Sequence, residues 1–227
     1  MEKIYEMLAL QNELNNDTNG PKWREGVTKN GKVINWKRCI TMETAELIDS
    51  FPWKHWKSID AEPNYENAKI ELVDIWHFVM SYLLQHNTLD EAARLIDNLK
   101  NTTSDIKLTQ WQNDKVDEYL DIFEELMALS LVKNDSEMLQ ESLIEQFFKT
   151  CDAVGLSFDE LYRLYIGKNA LNQFRQEHGY KEGSYRKIWN DKEDNEVMQE
   201  ILEEKPDISF NQLKDELLKR YQMAAQL

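Results

Sequence analysis

The residues best placed to do chemistry in this chain are two acidic pairs, Glu43-x-x-Glu46 and Glu71-x-x-Asp74. If each pair lies on a helix, residues three apart share a face, with Cβ atoms roughly 5–6 Å apart. Some two dozen residues separate the pairs, enough for two helices to turn back on one another and bring four carboxylates together. Two unit negative charges ~5 Å apart repel by about 3 kcal/mol at an effective dielectric of ~20. Divalent cations that prefer oxygen ligands relieve that repulsion. Mg²⁺ fits best, because it favours carboxylates, keeps several waters and bridges phosphates. Neither pair is informative alone: with 42 acids in 227 residues, chance gives roughly eight pairs at this spacing, most of them solvated helix faces. Context separates these two from the rest. Ala45, Leu47 and Ile48 surround the first pair, and Ile70, Leu72, Val73 and Ile75 the second, so the acids are expected to be partly buried, where carboxylates need partners. On these residues alone, a metal site and an acidic stabilising face both stay open.

A second group of candidates lies towards the C-terminus. Lys168, Asn172 and Arg175 recur at spacings of four and three, which puts a lysine, an amide and an arginine on one helix face. That set suits a phosphate and nucleotide grip, since arginine contacts phosphate in bidentate fashion, although most such faces are merely solvated. Gly167 sits in the same helical pattern at a cost of about 1 kcal/mol relative to alanine, which a close backbone approach would explain. The following stretch adds Lys181, Arg186 and Lys187 among Tyr180, Tyr185 and Trp189, with Gly183 for backbone freedom. It is either an exposed basic loop or a lid that orders over a ligand.

The elements that must position these residues read as helices. Ile4, Met7, Leu8, Gln11, Leu14 and Asn15 share one face of a helix from about Glu2 to Asn16, with two amides where core residues are expected. Asn19-Gly20-Pro21 stops it. Further helices are predicted over Trp36–Phe51, Tyr65–Gln85, Asp90–Leu99, Trp111–Val132, Asp135–Ala153, a segment opened by the capping box Ser157-Phe-Asp-Glu160 and closed at His178, Glu193–Glu203 and Ser209–Gln226. Tyr180–Asp191 reads as a loop. The whole is one all-α domain over residues 1–227, and no repeat or linker divides it.

Composition narrows the function. Gly and Pro are scarce, at 7 and 4 residues, which suits long helices and disfavours a turn-rich β architecture. A formal net charge of −15 argues against nucleic-acid or anionic-membrane partners. Cys39 and Cys151 are the only cysteines, too few for a disulfide framework or a cysteine-based zinc site. No apolar run reaches the ~18–20 residues of a membrane span, and no signal-peptide pattern opens the chain, so a cytoplasmic location is expected.

The acidic pattern resembles the metal motif of the all-α NTP pyrophosphatases, a superfamily that includes the MazG-like enzymes. Longer stretches are more specific. Met42-Glu-Thr-Ala-Glu-Leu-Ile-Asp-Ser-Phe-Pro-Trp-Lys-His-Trp-Lys57 and Lys69-Ile-Glu-Leu-Val-Asp-Ile-Trp-His-Phe78 look like the central motifs of the dimeric dUTPases (deoxyuridine triphosphatases). Tyr165–Gln176, Gly179–Tyr185 and Glu193–Val197 resemble its later blocks in order, while residues 88–155 match no motif and are taken as a variable helical segment.

The resemblance implies a helical bundle that forms a homodimer and hydrolyses dUTP, with dUDP a second candidate, to limit uracil in DNA and to supply dUMP. It implies two or three Mg²⁺ ions on Glu43, Glu46, Glu71 and Asp74, with Glu46 also orienting or deprotonating the attacking water. Lys168, Arg175, Lys181 and Lys187 would face phosphate. Gln11 and Asn15 would contact uracil and deoxyribose, and Phe78 would pack on the sugar. Asn172, Tyr180 and Asn195 are further substrate contacts, with His55 a weaker one; His77 reads as structural. The rival expectations are a related pyrophosphatase acting on dCTP or a modified nucleotide, and a non-catalytic helical protein whose acids only stabilise a bundle. The trimeric β-sheet dUTPases are excluded by the helical periodicity.

Overall fold

A computed structural model describes residues 1–58, 61–206 and 208–224. Among them are nine α-helices: α1 (Glu2–Asn19), α2 (Trp36–Asp49), α3 (Tyr65–His86), α4 (Leu89–Leu99), α5 (Val116–Leu131), α6 (Glu137–Val154), α7 (Phe158–Glu177), α8 (Asp194–Glu204) and α9 (Phe210–Met223). The all-α expectation is met. The chain divides into two compact units, Met1–Leu161 and Tyr162–Leu227, with the boundary in the first turns of α7.

In the first unit α3 is the central helix. Its buried residues include Ile70, Leu72, Val73, Ile75, Trp76, Val79, Met80, Tyr82, Leu83 and Leu84, which cover more than one face, as expected for a helix enclosed by neighbours. α2 packs along α3, α5 packs on α2, α6 packs on α3, α4 and α5, and α1 packs on α3 and α4. Trp76 stacks on Phe147 of α6 with centroids 4.8 Å apart. Residues 88–155, read in sequence as a variable segment, supply α5, which packs on α2, and α6, which packs on α3, and so help hold the acidic helices in place.

Side-chain caps fix where the metal-motif helices begin. Asn35 accepts from Arg38 N at 2.9 Å, and Asn64 accepts from Asn67 N at 3.0 Å, each satisfying an amide that the first helical turn leaves without a partner. Ser50 opposes Asn67, and Trp36 stacks on Phe78, so the ends of α2 match the ends of α3 in reverse order. The two helices are antiparallel.

The expected boundaries shift in several places. α1 runs one turn past Asn16, and α2 stops at Asp49, short of Phe51. α5 begins at Val116, after short 3₁₀ turns at Leu108–Gln110 and Asn113–Lys115, where Trp111 Nε1 donates to Asn113 Oδ1 at 2.6 Å. A local side-chain turn there competes with the helix. The expected end of the last helix, Gln226, lies outside the described residues.

The second unit consists of the remainder of α7, a two-stranded hairpin, α8 and α9. The hairpin pairs Ile188–Trp189, at the end of the stretch read as a loop, with Lys192–Glu193 just beyond it. Its corner residues, Asn190 and Asp191, both have positive φ (51° and 67°), the requirement of the tight type I′ turn that Asn and Asp tolerate. Gly167 of α7 meets its expectation: a Cβ there would lie 2.6 Å from Met198 Sδ and 2.7 Å from Leu202 Cδ1 of α8. No helix among the described residues is long and apolar enough to cross a membrane.

Candidate metal and nucleotide site

Antiparallel packing of α2 and α3 converts two sequence pairs into a cluster. Ligand oxygens of Glu43, Glu46 and Glu71 all lie within 4.8 Å of one another, with Glu43 half-buried, Glu46 exposed and Glu71 buried. At that separation each pair of charges repels by about 3.5 kcal/mol at an effective dielectric of ~20, so the arrangement favours a divalent cation. Three carboxylates offer the oxygen donors that such an ion takes, and the residues fit it. Asp74, half-buried one turn beyond Glu71 on α3, stands outside this group of three.

The buried member of the cluster is oriented from behind. Asn67 Nδ2 donates to Glu71 Oε1 at 3.2 Å and to Ser50 Oγ at 2.8 Å, tying the carboxylate to the end of α2. Sequence reasoning missed Asn67, although it stands four residues before Glu71 and on the same helix face.

On the neighbouring face of α3, Gln11, Asn15, His77 and Ser81 form a buried polar network. Gln11 Nε2 donates to Asn15 Oδ1 (3.2 Å) and Ser81 Oγ (3.0 Å), and Asn15 Nδ2 donates to Ser81 Oγ (3.0 Å). His77 Nδ1 lies 2.7 Å from Gln11 Oε1. The two amides expected on the apolar face of α1 are thus present, each 3 % exposed, and His77 is bound into their network. Phe78, half-buried, lies 6.1 Å from Trp36 in a stacked arrangement, and Trp36 meets Trp23 edge-on at the same distance. The buried Trp36 indole N–H has no hydrogen-bond partner among the described residues.

His55 is exposed on the segment after α2, its ring edge-on to Trp56 at 4.9 Å. It lines a cavity of about 350 Å³ with Pro52, Trp53, Lys54, Lys57 and Asn113. Beside it, Lys54 and the Trp53 indole both bind Asp49, at 2.7 and 2.9 Å, and hold its carboxyl below the usual carboxylate range.

In the second unit Lys168, Asn172 and Arg175 lie on α7, and both cations are already engaged. Arg175 donates through Nε and Nη2 to the two oxygens of Asp194 at 2.8 and 2.7 Å, and through Nη1 to Asn172 Oδ1 at 3.1 Å. Asp194 is fully buried and also accepts from the Tyr185 hydroxyl at 2.7 Å. Burial first, and this bond second, push the Tyr185 phenol well above its ordinary value. Lys168, also buried, donates to Asn195 Oδ1 at 3.0 Å. Lys168, Asn172, Arg175 and Asn195 are therefore one connected group, and Tyr180 lies beneath the Arg175 guanidinium at 5.9 Å. Lys181 and Lys187 are exposed, and Lys187 pairs with Glu193 at 3.5 Å. Arg186, counted with the cations of this basic stretch, instead donates to the Ala224 and Tyr221 carbonyls at the end of α9 (3.1 and 3.3 Å). Asp194 was not among the candidates, and Tyr185 was named only as part of the basic and aromatic stretch. Asp194 reads in sequence as an ordinary acid in a first helical turn, and only the fold shows that it faces an arginine.

Three carboxylates converging on antiparallel helices of an all-helical protein offer the oxygen donors that a divalent metal ion takes. A family model described as dUTPase matches residues 3–180, which include both acidic pairs, the two amides and the α7 face. The chain belongs to that family, the all-α dUTPases, and is an enzyme that hydrolyses dUTP. No curated protein matches it.

Proposed function

We propose that the enzyme is a Mg²⁺-dependent dUTP diphosphatase that converts dUTP and water to dUMP and pyrophosphate, and that dUDP is a second substrate. The observation that carries this reading is the convergence of Glu43, Glu46 and Glu71 within 4.8 Å inside the stretch matched by the family. These residues and Asp74 would hold two or three Mg²⁺ ions. Bound there, the ions would neutralise charge on the phosphoryl oxygens and make water more acidic. The protein's own side chains do the rest. Glu46, the exposed member of the group, accepts the proton of the attacking water and aims its oxygen at phosphorus. Asn67 keeps the buried Glu71 in place. Because water attacks directly, no covalent enzyme intermediate forms.

Gln11 and Asn15 are assigned to the base and deoxyribose, and Phe78, backed by Trp36, to the sugar ring. Lys168, Asn172, Arg175, Tyr180, Lys181, Lys187 and Asn195 are assigned to the nucleotide and its phosphates, and His55 is a further substrate candidate. A homodimer and a cytoplasmic location accompany the reading; exposed Met42, Leu131 and Met138 supply apolar surface for the former. The reading is tested by pyrophosphate release from dUTP, dCTP, dTTP and UTP, with and without Mg²⁺. Mg²⁺-dependent preference for dUTP supports it, and preference for another base, or turnover unaffected by metal removal, overturns it.

A further inference from the structure

An amide reading a pyrimidine faces an ambiguity. At positions 3 and 4 of the ring, uracil offers a donor and then an acceptor, whereas cytosine offers an acceptor and then a donor. Turning an asparagine or glutamine amide by 180° exchanges its own donor and acceptor. A freely turning amide therefore fits both bases, and discrimination requires something that fixes its orientation, because specificity is a difference between two affinities.

The network around Ser81 supplies that constraint. Ser81 Oγ donates its single hydrogen to the backbone carbonyl of His77, one turn back on α3, at 2.8 Å, the shorter of two contacts, since Asn15 Oδ1 lies at 3.4 Å. Its lone pairs are then left to accept, and they take Gln11 Nε2 and Asn15 Nδ2, both at 3.0 Å. Gln11 Nε2 also donates to Asn15 Oδ1 at 3.2 Å, so the Asn15 carbonyl lies on the Gln11 side. At the other end, Gln11 Oε1 lies 2.7 Å from His77 Nδ1. A carbonyl oxygen can only accept, so Nδ1 carries the proton. Turning Gln11 would set its NH₂ against that N–H. Turning Asn15 would set its NH₂ against that of Gln11 and its carbonyl against Ser81 Oγ, which could donate to it only by releasing the His77 carbonyl. All four residues are buried, where an unmade hydrogen bond costs most.

We propose that Ser81 and His77 are specificity-determining residues: they lock the Asn15 and Gln11 amides in the orientation that accepts uracil and refuses cytosine. The proposal rests on the reading of those two amides as the base contacts. Ser81 and His77 act through them as positioning residues.

The test is kcat/KM for dUTP and for dCTP in the wild type, Asn15→Ala, Ser81→Ala, Ser81→Thr and His77→Phe, with helical content checked for each by circular dichroism. The dUTP:dCTP ratio is expected to fall at least about tenfold in Ser81→Ala, the equivalent of roughly 1.4 kcal/mol, with dCTP gaining relative to dUTP. Ser81→Thr, which retains the hydroxyl, is expected to keep most of the wild-type ratio. His77→Phe is expected to lower the ratio as well and gives an independent measurement if Ser81→Ala does not fold. Folded Ser81→Ala and His77→Phe variants with the wild-type ratio, while Asn15→Ala loses it, would overturn the proposal and leave the base-contact reading standing. A wild-type ratio in Asn15→Ala would overturn that reading and the proposal together.

Discussion

Replacing Asp194 with asparagine keeps the shape of the side chain and removes its charge. In the native second unit the two carboxylate oxygens take the Arg175 Nε–H and Nη2–H at 2.8 and 2.7 Å, and one of them also takes the Tyr185 hydroxyl at 2.7 Å. Asp194 has no exposed surface, so water cannot substitute for the lost charge. Breaking one side of a buried ion pair costs about 3–5 kcal/mol, much of it the penalty of leaving the other charge buried without compensation. With a urea m-value of about 2 kcal/mol/M, even the lower figure moves the unfolding midpoint down by about 1.5 M. The logic predicts non-additivity too. Arg175→Met removes the stranded charge, so the double variant should be less destabilised than the sum of the single variants, by about 1.5–3 kcal/mol. The assay is urea unfolding of all four proteins, followed by circular dichroism and tryptophan fluorescence. A midpoint shift below about 0.5 M in Asp194→Asn, or simple additivity in the cycle, would refute the view that this pair organises the second unit.

Three further outcomes follow from particular contacts. Gly167→Ala gains about 1 kcal/mol of helix propensity but drives a methyl group against Met198 and Leu202 of α8; overpacking of about 1–3 kcal/mol should leave the variant less stable in a thermal melt. Asn67→Leu removes the donor that steadies Glu71, and the Mg²⁺ concentration for half-maximal turnover should rise about tenfold or more, as when outer partners of metal ligands are lost; an unchanged Mg²⁺ dependence would count against that role. Lys37 Nζ donates to the Val132 and Asn134 carbonyls beyond α5, each at 2.7 Å, and to Asp135 at 2.8 Å, so Lys37→Met should cost about 1–2 kcal/mol in chemical denaturation. The same pair has a pH signature. The hydrogen bond from Lys37 holds the Asp135 carboxyl below its ordinary value against the opposing effect of burial, with Tyr82 assisting. A depressed folded-state value means that this contribution is fully present above the unfolded-state value of about 4 and is lost as pH falls through the folded one. The wild type should lose stability over that acid range more steeply than Lys37→Met.

Much of this was legible in the sequence, for physical reasons that differ from element to element. The apolar period of α3 is a local signal, so the helix that carries Glu71 and Asp74 could be placed closely. The two acidic pairs announced a cluster because spacing of three fixes a helix face, and antiparallel packing then assembles Glu43, Glu46 and Glu71. What escaped notice depends on partners distant in sequence. Ser81 reads as a small polar residue until α1 sets two amides against it, and Asp194 reads as a solvated acid until Arg175 meets it. The start of α5 was misjudged because the Trp111–Asn113 side-chain turn competes with helical hydrogen bonds. The 188–193 hairpin was passed over because Asn190-Asp191 lacks the glycine that usually marks such a turn.

The most direct test of the central claim is a Mg²⁺ titration of dUTP hydrolysis after chelator treatment, comparing the wild type with Glu46→Gln. Glutamine keeps the size of the side chain and removes both its charge and its capacity to take a proton. The wild type should be inactive without metal and recover on titration. Glu46→Gln should remain at least about 10²-fold slower at saturating Mg²⁺, within the range that general-base catalysis contributes. A Glu46→Gln enzyme that reaches the wild-type rate once Mg²⁺ saturates, or a wild type indifferent to the chelator, would contradict the account.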